Sequence, residues 1–408
     1  MQGASEDCQN WPIIDSQKQP FENQRKGGLR SLARAVQKGS APMLRLSSIT
    51  LTLLISITVY AQDPEKSRHP YKVGVTQRSY KPQEPYNWRG ADTHALLTTI
   101  WYPADPASVE QLQWLGQPEN PFASLGKSAP DAKIAPAPAR FPLIVLSHGT
   151  GGSAAMMAWL GTELAAHGYI AAAVNHPGNN ALEQYRPQGF VLWWERAHDL
   201  SAVIDHVLAD STFGIHVNRK RIGAAGFSLG GYTMIEIAGG ITQPSLYKDF
   251  CNSPRADGIC IAPPEFPDLM RWIDEVPKMD SQSATSIAHA SDSYRDPRVR
   301  AVFAIAPAAG PAFRPESLRK ISIPVEIVAG TEDKNVPIGS SAQFFAREIP
   351  HARLMLLPGV GHYTFLATCG EFGKKSRPEL CVDTPAVNRD AVHANTVQMA
   401  IEFFAKTL

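Results

Sequence analysis

Residues 141–147, Phe-Pro-Leu-Ile-Val-Leu-Ser, carry no charge and show no alternation of apolar with polar side chains. A half-exposed strand alternates with a period of two, whereas an unbroken apolar run of this length suits a strand covered on both faces. Strands of that kind belong to parallel sheets packed between helices. From about residue 70 the chain supplies the partners in alternating order. Residues 94–102, 169–175, 221–226, 299–306, 325–329 and 353–357 read as further strands. Residues 195–210 place Leu200, Ile204, Val207 and Leu208 at the spacing of one buried helix face. A last helix over about 390–407 puts Val397, Ala400, Ile401, Phe404 and Leu408 on one stripe, and Ser153 is placed to cap a helix reaching about residue 167. The Pro/Ala-rich stretch 103–142 reads as a long surface loop. The expected class is α/β, with a mostly parallel central sheet flanked by helices.

One of those strands runs straight into Gly226-Phe227-Ser228-Leu229-Gly230, and a helix follows at once. G-x-S-x-G in that setting demands a very sharp turn. Glycines at the two flanking positions leave room for strand and helix to approach, and the serine hydroxyl is left at the C-terminal edge of the sheet beside a helix N-terminus. A serine hydroxyl is a weak nucleophile and needs a base within hydrogen-bond reach. In this architecture the order along the chain is Ser, acid, His. Asp333 stands just past the strand at 325–329, with Glu332 as its competitor. His362 stands on Gly-rich Pro358-Gly359-Val360-Gly361, past the strand at 353–357. His351, at a strand start, and His393, in the last helix, are poorer candidates for the base.

Stabilising an oxyanion takes two preorganised N–H groups. One is expected from Leu229, the residue after the nucleophile. The other is expected from the loop after residues 141–147, which reads His148-Gly149-Thr150-Gly151-Gly152; Thr150 is the first choice and Gly151 the second. His148 reads as a residue that braces this loop. Trp193, Trp194 and Phe365 are candidates for lining an acyl pocket. Between the helix after Ser228 and the strand at 299 lies an insertion, about 241–298, which reads as a cap or lid.

The set Ser147–Gly152, Gly226–Gly231, Gly330–Asp333 and Gly359–His362 resembles the α/β-hydrolase serine esterases grouped with plasma-type platelet-activating-factor acetylhydrolases and dienelactone-hydrolase-like proteins. The resemblance covers about residues 70–408 apart from the insertion. It implies the α/β-hydrolase fold, a Ser-His-Asp triad and hydrolysis of a small-molecule or lipid ester through an acyl-enzyme. Carboxylesterase, lipase, thioesterase and phospholipid acetylhydrolase share this machinery. Dienelactone hydrolase uses a cysteine where this chain has Ser228. The acetylhydrolases take their acid from an earlier strand end, and the matching segment here, Ala306-Pro307-Ala308-Ala309, has no carboxylate; Asp333 follows the general order of the superfamily instead.

Other classes fit less well. Residues 149–154 formally match G-x-G-x-x-A between a strand and a helix, but the next strand ends in Asn175-His176 rather than the acid that a ribose needs. A catalytically inactive binding module would have no use for Ser, Asp and His in order. The twelve His are scattered without H-E-x-x-H or paired-ligand spacing, so neither metal nor cofactor is expected. With 39 basic against 38 acidic residues, the charge balance gives no support to a nucleic-acid partner.

The N-terminus reads as processing rather than fold. Residues 1–42 are polar and without periodicity. Residues 43–61 then have the basic start, short apolar core and small residues at −3 and −1 of a secretory signal peptide, cut before Gln62. That stretch is too short and polar for a comfortable transmembrane helix, so no stable membrane span is expected after cleavage. A secreted or periplasmic location follows. Apart from Cys8, the four cysteines lie as two close pairs, Cys251/Cys260 and Cys369/Cys381; export favours disulfides, and local pairing is favoured among the three possible connectivities. Neither these motifs nor the composition reads out acyl length or oligomeric state.

Overall fold

Strand β5 of the computed structural model, which describes residues 70–408, is Phe141–Ser147 and is buried at every position. Its side chains divide between two cores. Leu143 and Val145 pack on one side with Leu200, Val203, Ile204 and Val207, while Ile144 and Leu146 pack on the other with Leu160, Leu164, Ala400 and Phe404. The unbroken apolar run thus has its cause in a helical layer on each face. Full burial of each such side chain contributes roughly 1.5–3 kcal/mol before chain entropy is charged against it.

Ten strands among the described residues form one sheet in the order β10-β9-β8-β7-β5-β6-β2-β1-β4-β3. They are β1 (Lys72–Tyr80), β2 (Leu96–Ala104), β3 (Gln111–Gln117), β4 (Asn120–Pro130), β5, β6 (Ile170–Val174), β7 (Val217–Phe227), β8 (Val299–Ile305), β9 (Val325–Gly330) and β10 (Arg353–Leu357). From β6 through β10 the neighbours are parallel, and β2 joins β6 antiparallel. The flanking helices used below are α1 (Ala158–Ala166), α2 (Glu195–Ala209), α3 (Leu229–Ile237), α4 (Ala342–Glu348) and α5 (Arg389–Thr407). Helices α1 and α5 share one core; α2, α3 and α4 share the other. Among the described residues no helix is long and apolar enough to cross a membrane.

Several expectations need correction. Residues 103–142 are not one loop: β3 and β4 pair as an antiparallel hairpin at the sheet's edge, held to β1 over a short parallel stretch. Strand β1 itself is also new. On α2 the buried stripe is Leu200, Val203, Ile204 and Val207, with Leu208 only half-buried. Ser153 makes no side-chain cap; a short 3-10 turn, Ala154–Met157, precedes α1. Within the insertion, expected as a cap or lid, stand two short helices, Leu269–Ile273 and Val276–Met279. The insertion also holds helices Pro244–Cys251 and Ser281–Ala288. Its Leu269, Val276 and Ala290 pack on Phe190, Val191, Leu192 and Trp194. Both local cysteine pairs are disulfides, Cys251–Cys260 and Cys369–Cys381. The leader at 1–42 and the signal peptide at 43–61 lie outside the described residues.

Candidate active site

The turn from β7 into α3 puts Ser228 at φ 57° and ψ −117°, a backbone state that L-residues rarely adopt and that costs on the order of 1–3 kcal/mol. Its neighbours explain how it is held. A Cβ on Gly226 would come within 2.4 Å of the Gly230 carbonyl oxygen, and one on Gly230 within 2.0 Å of the Ser147 carbonyl oxygen. The two glycines let β7, α3 and the end of β5 meet at van der Waals distance. The Ser228 backbone is then fixed from the neighbouring strand, its N–H donating to the Ile305 carbonyl at 2.9 Å and its own carbonyl accepting from Ala308 at 3.1 Å.

Three side chains from three strand ends converge there. His362 Nε2 lies 2.9 Å from Ser228 Oγ, and His362 Nδ1 lies 2.6 Å from Asp333 Oδ2. The other Asp333 oxygen accepts from the backbone N–H groups of Asn335 and Val336, at 3.1 and 2.7 Å, so the carboxylate cannot swing away. Glu332 points out to solvent. The turn carrying His362 is anchored from α5: His393 Nε2 donates to the Thr364 carbonyl at 2.9 Å, and Thr364 Oγ1 donates to Asp383, which is paired with Arg389. Burial pulls His393 down to about 4, so it stays neutral in this role.

The loop at 148–152, the candidate for the oxyanion, is braced from the segment after β6. Gly151 N–H is committed to Asn179 Oδ1 at 2.7 Å, which removes the second-choice donor, and Asn179 Nδ2 donates to the Gly189 carbonyl at 3.0 Å. Tyr185 Oη donates to the Gly151 carbonyl, and Ala154 N–H to Asn175 Oδ1. The N–H groups of Thr150 and Leu229 donate to no acceptor among the described residues. A Cβ on Gly149 would stand 3.3 Å from that of Ser228, so this loop lies against the nucleophile turn. His148 is buried, donating Nδ1–H to the Gly149 carbonyl and accepting the His176 N–H at Nε2.

Behind the loop stands a second Ser–His–Asp chain that no local motif announces. His176 Nε2 is 2.9 Å from Ser147 Oγ, and His176 Nδ1 is 2.7 Å from Asp199 Oδ2. The side chains of His176 and Asp199 have no exposure at all. Asp199 is also bound by Arg89 and Tyr86, and Arg196 reaches the His148 carbonyl. Burial, reinforced by Arg196, holds both His148 and His176 well below the usual histidine range. Ser147 sits in a regular strand rather than on a sharp turn, and no substrate could reach it in this arrangement.

The three aromatic candidates are spread widely. Phe365 is buried beneath His362, against Phe227. Trp194 is buried too, its indole donating to Ser286 of the insertion. Trp193 is half-buried between Tyr232 of α3 and Tyr247 of the insertion. Phe365 and Trp194 are thus packing residues here.

A model of the alpha/beta hydrolase family matches residues 144–374, more than half of the chain, a span that includes Thr150, Ser228, Asp333 and His362. A second, described as platelet-activating factor acetylhydrolase, isoform II, matches residues 95–189. Two curated relatives from Thermobifida alba, cutinase est1 and cutinase est2, are each 30% identical over 97 residues, 23% of this chain and 29% of theirs. The chain therefore spans less than a third of the length of these relatives. A ferulic acid esterase from Streptomyces cinnamoneus has a solved structure with a TM-score of 0.54 to this one, covering 83% of this chain and 90% of that one at 20% identity, a likeness of fold. By the span and content of the first match, the chain belongs to the alpha/beta hydrolase family.

Proposed function

We propose that the protein is a secreted serine esterase that cleaves carboxylic esters through an acyl-enzyme, with Ser228 as nucleophile, His362 as base and Asp333 as its orienting acid. One observation carries the reading: the continuous hydrogen-bond chain from Ser228 Oγ through His362 to Asp333, at 2.9 and 2.6 Å, on the strained turn. In the first half-reaction His362 Nε2 takes the hydroxyl proton as Ser228 Oγ bonds to the ester carbonyl carbon. The N–H groups of Leu229 and Thr150 receive the oxyanion, and removal of one such donor elsewhere costs on the order of 10²–10³ in kcat. The C–O bond to the alcohol then breaks, and His362 hands its proton to the departing oxygen. In the second half-reaction His362 deprotonates a water, which attacks the acyl carbon; the carboxylic acid leaves and Ser228 recovers its proton.

An acyl ester as substrate is supported by the acetylhydrolase family match over residues 95–189 and by the likeness to proteins named cutinases. The insertion at 241–298 acts as a lid in this reading: Glu265 would touch any side chain placed on Gly151, and a Cβ on Gly258 would meet the Lys334 carbonyl beside Asp333. Export is supported by two disulfides, which persist in oxidising compartments. Steady-state kinetics on simple aryl esters test the assignment. Ser228→Ala is expected to lower kcat by on the order of 10⁴–10⁶; retention of more than about a tenth of the activity would remove Ser228 from the nucleophile's role.

A further inference from the structure

A carboxylate from the insertion lies over the oxyanion loop and takes no part in the mechanism above. Glu265 is half-buried, with its Cβ and Cγ 3.0 and 3.1 Å from where a Gly151 Cβ would stand. Gly151 has φ +60° and follows Thr150, so the chain turns there without a side chain and Glu265 fills the space. The next residue, Phe266, stacks on Phe190 at 4.4 Å and pins the segment to the domain. Tyr185, whose hydroxyl holds the Gly151 carbonyl, stands on the same side.

The Glu265 carboxylate has no hydrogen bond or ion pair to another side chain among the described residues, yet its surroundings are mapped by the groups that feel its charge. Burial pushes its carboxyl up, while a hydrogen bond from its own backbone N–H and then His362 and Arg377 draw it down. Tyr185 is pushed up to about 12 by burial and then by Glu265, and Tyr363, next to the catalytic histidine, is raised by burial and then by Glu265. With its stem against Gly151, next to Thr150, and its charge felt by His362, Tyr185 and Tyr363, this acid stands beside the place an ester held by Ser228 and Thr150 would take. A partly desolvated carboxylate with no side-chain partner among the described residues still gains from a donor or cation that meets it.

We propose that Glu265 is a specificity-determining residue of this site, selecting esters that present a hydrogen-bond donor or a cation on the acyl chain and rejecting anionic ones. The inference rests on Ser228 being the nucleophile. It is tested with aryl hexanoates whose far end carries methyl, hydroxyl, trimethylammonium or carboxylate, measured on the full protein and on Glu265→Gln and Glu265→Asp. The ratio of kcat/KM for the trimethylammonium ester to that for the carboxylate ester is read within each variant, so a general loss of activity cancels. Glu265→Gln is expected to lower this ratio about tenfold or more, the effect of one charge a few Å away in a medium well below the polarity of water. Glu265→Asp, which keeps the charge, should retain most of the ratio. If the hydroxyl ester, measured against the methyl ester, also loses with Glu265→Gln, the site reads a hydrogen-bond donor as well as charge; if only the trimethylammonium ester loses, it reads charge alone. An unchanged ratio, or all four esters altered by one factor, overturns the proposal. Labelling of Ser228 by a fluorophosphonate separates the two failures. A wild type that is not labelled there defeats the nucleophile assignment, whereas equal labelling of wild type and Glu265→Gln with an unmoved ratio defeats only the role of Glu265.

Discussion

Asp333 and Glu332 are neighbours in sequence with opposite fates. Asp333 is buried against His362 and accepts two backbone N–H groups; Glu332 faces solvent, tied to the fold through its backbone N–H to the Val360 carbonyl. Asp333→Asn is therefore expected to lower kcat by roughly 10³–10⁴ by losing control of the His362 tautomer, while Glu332→Gln costs little. Kinetics of the two purified variants decide it, and the reverse ranking would move the acid by one residue. These residues were legible in advance because each follows a continuous apolar strand, and strand ends are where this architecture gathers its chemistry. Thr150 was separable from Gly151 only once Asn179 was seen to occupy the Gly151 N–H. The buried set of Ser147, His176 and Asp199 was not legible at all. Its members come from β5, the segment after β6, and α2, with nothing in their local sequence to mark them as partners. The same distance in sequence hid Glu265, which meets the oxyanion loop only through the folded insertion.

At the scale of elements, α3 carries more than the turn at its start. Glu236, on the same helix, is fully buried, and neither carboxylate oxygen has a hydrogen-bond partner of good geometry. Burial pushes its carboxyl up to about 8. A folded-state value above the unfolded one means that the native state holds its proton longer. The associated stability is complete below about 4.5, the unfolded value, and is lost as pH rises toward about 8. Glu236→Gln keeps the shape and removes the titration. Its melting temperature is expected to lie close to that of the wild type near pH 4.5 and several degrees above it near pH 9, as a few kcal/mol implies for a domain of this size. Thermal unfolding at the two pH values measures this, and an equal gap at both would contradict it. Elements differed in how plainly they could be read. Strands β5 through β9 carry buried apolar runs because helices cover the sheet there, while β10, at the edge, buries only Leu357. The β3–β4 hairpin is at the open edge, its Leu112 and Trp114 exposed and Gly116 and Gly126 at positive φ, so neither period nor composition gives it away. The loop after His362 also gains anchors invisible in sequence: it docks on β4 through Ser124 N–H to the Thr368 carbonyl and Gly370 N–H to the Phe122 carbonyl, and is closed by Cys369–Cys381.

Across the whole molecule, the parallel part of one sheet presents two Ser–His–Asp chains a few residues apart along β5 and β7. They differ in everything but their hydrogen bonds. Ser147 lies in a regular strand under a fully buried imidazole, and Asp199 is already neutralised by Arg89. Ser228 lies on a strained turn at the head of a helix, with the N–H groups of Thr150 and Leu229 lacking an acceptor among the described residues. The first arrangement braces the loop at 148–152 from behind; the second is the one proposed to react. The alternation of strands and helices places the chemistry at the sheet's C-terminal edge, where ligands of such sheets gather, and G-x-S-x-G singles out Ser228 there; nothing in the sequence marks the buried set behind it. Reaction of the full protein with a fluorophosphonate probe, followed by peptide mapping, tests this directly. The account predicts stoichiometric modification of the peptide containing Ser228, with loss of esterase activity in step, and none of the peptide containing Ser147. Labelling at Ser147, or activity that survives full modification of Ser228, would contradict it.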